Sequence, residues 1–238
     1  MAHHFWGKEI PDSLAETVSP SRTAVVAVDL QNDFTHAEGF SGRRGDIAKA
    51  EAIIEPNNAV LQAARDASIP VCYTQQVRRL DGSLDTAAFL AKILESLDGQ
   101  EPSICIEGTW GMEVDDRVAG QPQDLRVQKH RRSGFSGTNL DTILRGLGVR
   151  TIVITGLALS GCVEATVREA IELGYFVVIP RDCVADYSNL RHNEGLKAFE
   201  RILIKGNLTD SQTLMGLWSQ ATTPKETSSA GDARSAQR

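Results

Sequence analysis

The sequence predicts an α/β protein with three layers, α/β/α, built on a central parallel sheet. Three observations carry this. Short strand-like runs recur along the chain, such as the continuous apolar run Ala24 to Val28 and the β-branched run Thr151 to Gly156; strands buried on both faces read this way in parallel sheets. Between the runs, apolar residues recur at helical spacing. Strands and helices alternate throughout, which places helices on both faces of one parallel sheet.

Each element has its own signal. Ala24 to Val28 is a buried strand ending at Asp29. A helix follows near Ile54 to Ala67, with Val60, Ala64 and Ala67 on one face and Pro56 tolerated in its first turn. Pro70 admits a second strand, Val71 to Gln75. Residues 76–110 are less regular, with one amphipathic piece through Phe89, Leu90, Ile93, Leu94 and Leu97. Asp124 to Gln128 is a strand ending at Lys129. Leu140, Ile143, Leu144 and Leu147 form one helix face, which Gly148 stops. Thr151 to Gly156 is the strongest strand. A helix beginning near Cys162 carries Val163, Val167, Ala170 and Ile171. Tyr175 to Ile179 is a strand closed by Pro180, followed by helices through Leu196–Leu203 and Leu214–Leu217.

The domain organisation expected is a polar, irregular arm over 1–22, one domain over 23–219, and a disordered tail over 220–238 rich in Ser, Thr, Ala and charge. The chain has 238 residues, 41% of them apolar, enough for a sizeable core without disulfides or metals. With 25 basic and 31 acidic side chains the net charge is −6, the wrong sign for a nucleic-acid binder. No apolar stretch is long enough to span a bilayer, and the N-terminus lacks a signal-peptide pattern, so a cytoplasmic protein without membrane or nucleic-acid partners is expected. The four cysteines form no CxxC pair and the five histidines no HExxH or HxH. A metal centre is not expected.

In open α/β sheets ligands sit beyond the carboxyl ends of the strands. Asp29, Lys129 and Cys162 all fall there. An acid, a cation and a thiol on one rim can make an activated nucleophile. Cys162 opens a helix, where the dipole favours thiolate, and Lys129 is expected to lower the thiol pKa further. Asp29 can take the thiol proton and return it to the leaving group. Each residue also has an ordinary alternative: a core cysteine, a turn-capping aspartate, a solvated lysine. Cys72, inside a strand, is read as core. Gly134-Phe-Ser136-Gly-Thr138 fails the GxSxG nucleophile elbow, and Gly146-Leu-Gly148 fails GxGxxG, since 151 is threonine.

Four segments together carry a resemblance: Val28-Asp-Leu-Gln-Asn-Asp-Phe34, Gly108-Thr-Trp-Gly-Met-Glu113, Lys129-His-Arg-Arg-Ser-Gly-Phe135, and Gly156 through Cys162 to Ala170. In order and spacing they resemble the isochorismatase-like cysteine hydrolases, whose fold is Rossmann-like, across residues 20–218. The resemblance implies Asp29, Lys129 and Cys162 as a catalytic triad. It implies a cis peptide at Leu157-Ala158, and an oxyanion hole from the backbone N–H groups of Ala158 and Cys162. It implies no cofactor. The nicotinamidases of this superfamily carry histidine metal ligands after the second strand, and the stretch Tyr73 to Asp81 has none. Members that cleave isochorismate typically lack the cysteine. What remains resembles hydrolases of ureidoacrylate, biuret and N-carbamoyl compounds: Lys129 to Phe135 and Thr138-Asn-Leu-Asp141 resemble the ureidoacrylate branch, whereas Ser160-Gly-Cys162 resembles carbamoylsarcosine and maleamate hydrolases.

The activity expected is therefore amide or ureido C–N hydrolysis through an acyl-enzyme, acting on a small molecule and water. Phe34, Gln75, Trp110 and Phe135 are expected to bind the substrate, and a homo-oligomer (dimer or tetramer) is expected. The alternatives are vinyl-ether hydrolysis on the same fold, or a non-catalytic scaffold, which would be expected to have lost a triad residue.

Overall fold

The computed structural model describes residues 3–97, 99 and 102–223. The chain opens with a hairpin, β1 (His3–Phe5) and β2 (Lys8–Ile10), and a short helix α1 (Leu14–Thr17). The first sheet strand is β3 (Thr23–Val28). Helices α2 (Asn32–Thr35), α3 (Ala48–Ala52) and α4 (Ile54–Asp66) lead to β4 (Val71–Gln76). Helix α5 (Ala87–Ser96) stands in the long connection to β5 (Leu125–Lys129). From there the alternation is strict: α6 (Leu140–Gly146), β6 (Thr151–Gly156), α7 (Glu164–Glu172), β7 (Phe176–Pro180), α8 (Asn189–Ile202), β8 (Leu208–Thr209), α9 (Ser211–Thr222).

The six sheet strands are parallel in the order β5-β4-β3-β6-β7-β8. The chain winds outward from β3 to β5, returns to the other side of β3 as β6, and winds outward again. The boundary between β3 and β6 is the topological switch point, where open α/β sheets form their crevice. Alternation along β3 sends Val25 and Ala27 into one core layer, with Val60, Leu61, Leu214 and Trp218 of α4 and α9. Ala24, Val26 and Val28 enter the other, with Leu140, Leu144, Val167 and Phe199 of α6, α7 and α8. Each large aliphatic side chain so buried contributes roughly 1.5–3 kcal/mol of transfer free energy.

Most boundaries shift by a residue or two from the sequence reading, and three differences have a clear physical cause. The arm contains a paired hairpin, whose turn residues Trp6 and Gly7 both have positive φ (48° and 72°); a tryptophan there hides the usual Asn-Gly signal. Pro180 ends β7 rather than following it, since a terminal strand position needs no ladder N–H. Helix α9 runs through Thr222, past the expected boundary at 219, because Trp218 anchors it with an indole N–H donated to the Val18 carbonyl at 3.0 Å. The tail expected from residue 220 otherwise falls, from 224 onward, outside the described residues.

Gly156 makes the switch point possible. Its φ is +104°, and a Cβ there would lie 2.0 Å from the Val28 carbonyl oxygen, to which Leu157 donates its N–H at 2.9 Å. Gly156→Ala is expected to cost about 3 kcal/mol through backbone strain. For a domain of this size the melting temperature then falls by roughly 10 °C; a thermal melt within a degree of wild type would contradict this account.

Candidate active site

The carboxyl ends of β3, β4 and β5 and the turn after β6 build one cluster. Asp29 follows β3 directly with φ +53°, and its N–H donates to the Thr74 carbonyl at 3.0 Å. Lys129 is the last residue of β5. Strand β4 lies between them, so the two side chains meet over its end. There Thr74 Oγ1 donates to Asp29 Oδ1 (3.3 Å), and Gln76 Oε1 accepts from Lys129 Nζ (3.1 Å). Cys162 arrives from β6 through the cis peptide Leu157-Ala158 and a π turn, Leu159–Val163, in which Val163 N–H donates to the Ala158 carbonyl at 3.1 Å. Single π turns of this kind recur at functional sites.

Lys129 Nζ is the centre of the cluster. It lies 2.7 Å from Asp29 Oδ2, 3.4 Å from Cys162 Sγ, and 3.1 Å from both Gln76 Oε1 and the Arg131 carbonyl. Asp29 and Lys129 are fully buried and Cys162 is partly exposed. Nζ and Oδ2, at 2.7 Å, form a buried ion pair. Asp29 and the Cys162 sulfur influence each other's ionisation across this cluster.

The charges follow from burial set against neighbours. Burial raises the Asp29 pKa above the usual carboxylate value, with Lys129 and the thiol pulling the other way. For Lys129 burial lowers the pKa, but Asp29 and Cys162 outweigh it and the ammonium is held charged. Burial pushes the Cys162 thiol up to about 12; Lys129 lowers it and Asp29 raises it. This corrects the expectation of an acidified thiol. Lys129 acts in the expected direction, but desolvation and the carboxylate are together larger. At rest the sulfur is a thiol, beside an acid whose own pKa burial has raised.

A polar clamp that sequence reasoning missed holds the rim. The Gln31 amide reads the end of β4 like an added strand: Oε1 accepts from Gln76 N–H (2.8 Å), and Nε2 donates to the carbonyls of Gln76 (2.9 Å) and Met112 (2.7 Å). Asn32 donates to the Trp110 carbonyl (2.8 Å), and the Asp33 carboxylate accepts from the N–H groups of Phe40 (2.9 Å) and Cys105 (2.7 Å). Gly111 fits against Asp33 with no room for a Cβ, which would lie 2.2 Å from Oδ2. The motifs at 28–34 and 108–113 are thus each other's partners. The available signal was their run of short polar side chains beside glycines.

The four expected substrate contacts separate. Gln75 points away from the cluster, with Nε2 on the Met112 carbonyl at 3.3 Å, because strand alternation gives position 76 to the Lys129 face. Phe135 is core, its ring 5.9 Å from Tyr175 among the α6 and α7 side chains. Phe34 is half-buried, and its carbonyl accepts from Tyr187 Oη at 3.0 Å. Trp110 is 44% exposed and meets His36 edge-on at 5.0 Å. Cys72 is core, as read. Among the described residues no group of three His, Cys, Asp or Glu side chains is placed to hold a metal ion, and no helix is long and apolar enough to cross a membrane.

Fold and rim together define an open parallel α/β protein with carboxylate, ammonium and thiol gathered at its switch point. The chain belongs to the isochorismatase family: the family model of the Isochorismatase domain matches residues 23–212. It is 37% identical over 175 residues to a ureidoacrylate amidohydrolase, RutB, of Rhizobium rhizogenes, covering 70% of this chain and 71% of that protein. RutB of Agrobacterium fabrum is 36% identical over 175 residues, covering 70% and 77%. Among solved structures, a cysteine hydrolase from Pseudomonas syringae pv. phaseolicola superposes with a TM-score of 0.74 at 26% identity, over 86% of this chain and 96% of that one. An N-carbamoylsarcosine amidase from Thermoplasma acidophilum gives 0.60 at 28% identity, over 76% and 92%.

Gln76→Leu removes one acceptor from a buried ammonium while keeping the side chain's bulk. A hydrogen bond to a charged group is worth about 1.5 kcal/mol or more. Turnover of the substrate is expected to fall roughly tenfold with KM little changed; steady-state kinetics showing an unaltered kcat would contradict the place given to Gln76.

Proposed function

We propose that this protein is a cysteine amidohydrolase that cleaves a C–N bond of a small ureido, carbamoyl or amide substrate through a Cys162 acyl-enzyme. The observation that carries this is the Lys129 ammonium held between the Asp29 carboxylate and the Cys162 sulfur, at 2.7 Å and 3.4 Å. The family membership and the named activities of the RutB relatives and of the N-carbamoylsarcosine amidase support the same class. Vinyl-ether hydrolysis needs no acyl-enzyme and leaves the sulfur contact without a purpose.

The chemistry follows from the resting charges. Asp29 takes the thiol proton as the sulfur attacks the carbonyl carbon, so the thiolate forms only in concert with attack. The developing oxyanion meets the N–H groups of Ala158 and Cys162. Their neighbours are committed: Leu159 N–H donates to the Ala185 carbonyl, Ser160 N–H to Asp186, and those of Gly161 and Val163 to the Ala158 carbonyl. Asp29 hands its proton to the departing nitrogen as the C–N bond breaks, releasing ammonia or an amine and leaving a thioester. It then removes a proton from water, which attacks the thioester carbonyl. The sulfur leaves and is reprotonated, and the acid departs. Lys129 keeps its charge throughout, so that a buried carboxylate is tolerable before each proton transfer.

Phe34 and Trp110 are the side chains we assign to the walls around a flat ureido group. The RutB relatives favour ureidoacrylate-like acids as substrates. All four cysteines are free thiols, which fits a reducing, cytoplasmic setting.

Ammonia release is expected with ureido acids or N-carbamoyl amino acids in a panel that also holds biuret and simple amides. Cys162→Ala should abolish it by several orders of magnitude without unfolding the protein. A thioester adduct on Cys162 should be trapped by acid quench and mass spectrometry. Near-normal turnover in the Ala variant would exclude covalent catalysis.

Because the stretch 73–81 has no histidine, turnover should also survive exhaustive EDTA treatment. Loss on chelation with recovery on adding zinc would show that a metal takes part.

A further inference from the structure

In the turn that carries Cys162, three N–H groups donate to main-chain carbonyls. Those of Gly161 and Val163 go to Ala158 (2.9 and 3.1 Å), and that of Leu159 goes to Ala185 (2.7 Å). Ser160 is different. Its N–H donates to a side chain, Asp186 Oδ2, at 2.9 Å, and its hydroxyl donates to the same oxygen at 2.5 Å. The other carboxylate oxygen, Oδ1, accepts from Arg191 Nε at 3.0 Å. The Asp186 side chain is 2% exposed, whereas that of Arg191 is 58% exposed.

Ordinary structural duties do not account for Asp186. The N-cap of α8 is Ser188, whose Oγ accepts from the Arg191 N–H at 3.4 Å. The turn is also backed without it. Helix α8 packs there through Gly195, where a Cβ would come 1.7 Å from Leu159 Cδ2. What the carboxylate does is carry pairing past the end of the sheet. Gly156 and Val184 form a parallel bridge, Ala185 donates its N–H to the Gly156 carbonyl (3.3 Å), and the Ala185 carbonyl accepts from Leu159. Asp186 takes the next donor along, where the π turn has left strand geometry and a side chain must serve as acceptor.

Ser160 lies between the two residues whose N–H groups are assigned to the oxyanion, Ala158 and Cys162. Given the amidohydrolase reading on which this rests, we propose that Asp186 is a positioning residue for the reaction: by holding the Ser160 N–H it sets the aim of the Ala158 and Cys162 donors. Donors fixed beforehand cost no reorganisation when negative charge develops, and a displacement of about 1 Å can cost about a hundredfold in rate. Left alone, a carboxylate at this turn opposes the developing oxyanion. Arg191 on its far oxygen offsets that charge, so Asp186 acts as an acceptor and not as a net anion.

Two substitutions at one position test this. Asp186→Ala removes the acceptor, whereas Asp186→Asn keeps an oxygen for Ser160 and gives up the bond from Arg191. In the Ala variant kcat for a ureido or carbamoyl substrate should fall about a hundredfold, with KM changed by less than about threefold. The Asn variant should recover to within about fivefold of wild type. Alkylation of Cys162 by iodoacetamide forms no oxyanion, so its rate should stay within about twofold of wild type in both. In wild type without substrate, the Ser160 amide should exchange its hydrogen about a hundredfold more slowly than in an unstructured chain. That measurement by NMR needs no turnover, and it decides the matter even where the Ala variant does not fold. A wild type that hydrolyses no amide removes the amidohydrolase reading, and this inference with it. With amide hydrolysis intact, any of four results overturns the inference alone: unchanged kcat in the Ala variant, an Asn variant as slow as Ala, alkylation that falls in step with kcat, or a freely exchanging Ser160 amide.

Discussion

A single buried ammonium organises this molecule. Removing a lysine from water costs several kcal/mol unless other groups replace its hydration. At Lys129 the replacements are one carboxylate, a side-chain amide, a main-chain carbonyl and the nucleophile sulfur. Each comes from a different segment, so the charge can be buried only when β3, β4, β5 and the turn after β6 are in register. Removing either member of such a pair strands the other, at a cost of about 3–5 kcal/mol. The requirement that makes the site reactive thus also fixes the carboxyl edge of the sheet.

The fold supplies that edge through its winding. Because the chain reverses between β3 and β6, the loops after those strands diverge to opposite layers and leave a crevice. Gly156 and the left-handed Asp29 are the backbone features that let the chain leave the sheet there. The clamp of Gln31, Asn32 and Asp33 then closes the segment 105–113 over the end of β4. Polar side chains substitute for missing strands, so that buried backbone groups stay paired where regular pairing has ended.

Much of this is readable from sequence, for a definite reason. Strands buried on both faces are largely apolar, so β3, β6 and β7 announce themselves, and charged or thiol groups beyond their ends stand out. Asp29, Lys129 and Cys162 are legible in that way. What is lost depends on register or on competing energies. Gln75 and Gln76 differ by one residue, and only pairing within the sheet shows which faces Lys129. Phe135 sits in a catalytic-looking motif, yet its ring fills core against Tyr175. Strand β8 has two residues, too few for any periodicity. The thiol's ionisation cannot be read from neighbours alone, because burial and Asp29 together outweigh the lysine.

Reactivity on this account belongs to the pair and not to the thiol. A carboxylate held as a base beside a neutral thiol stays inert until a carbonyl carbon is in place to receive the sulfur. The direct measurement is the ultraviolet absorbance of thiolate as a function of pH, taken as wild type minus Cys162→Ala in the resting enzyme. The account predicts no thiolate band at neutral pH and its appearance only under strongly alkaline conditions. A stoichiometric thiolate band at neutral pH would show instead that Lys129 ionises Cys162 before substrate arrives, and that Asp29 is not needed to take its proton.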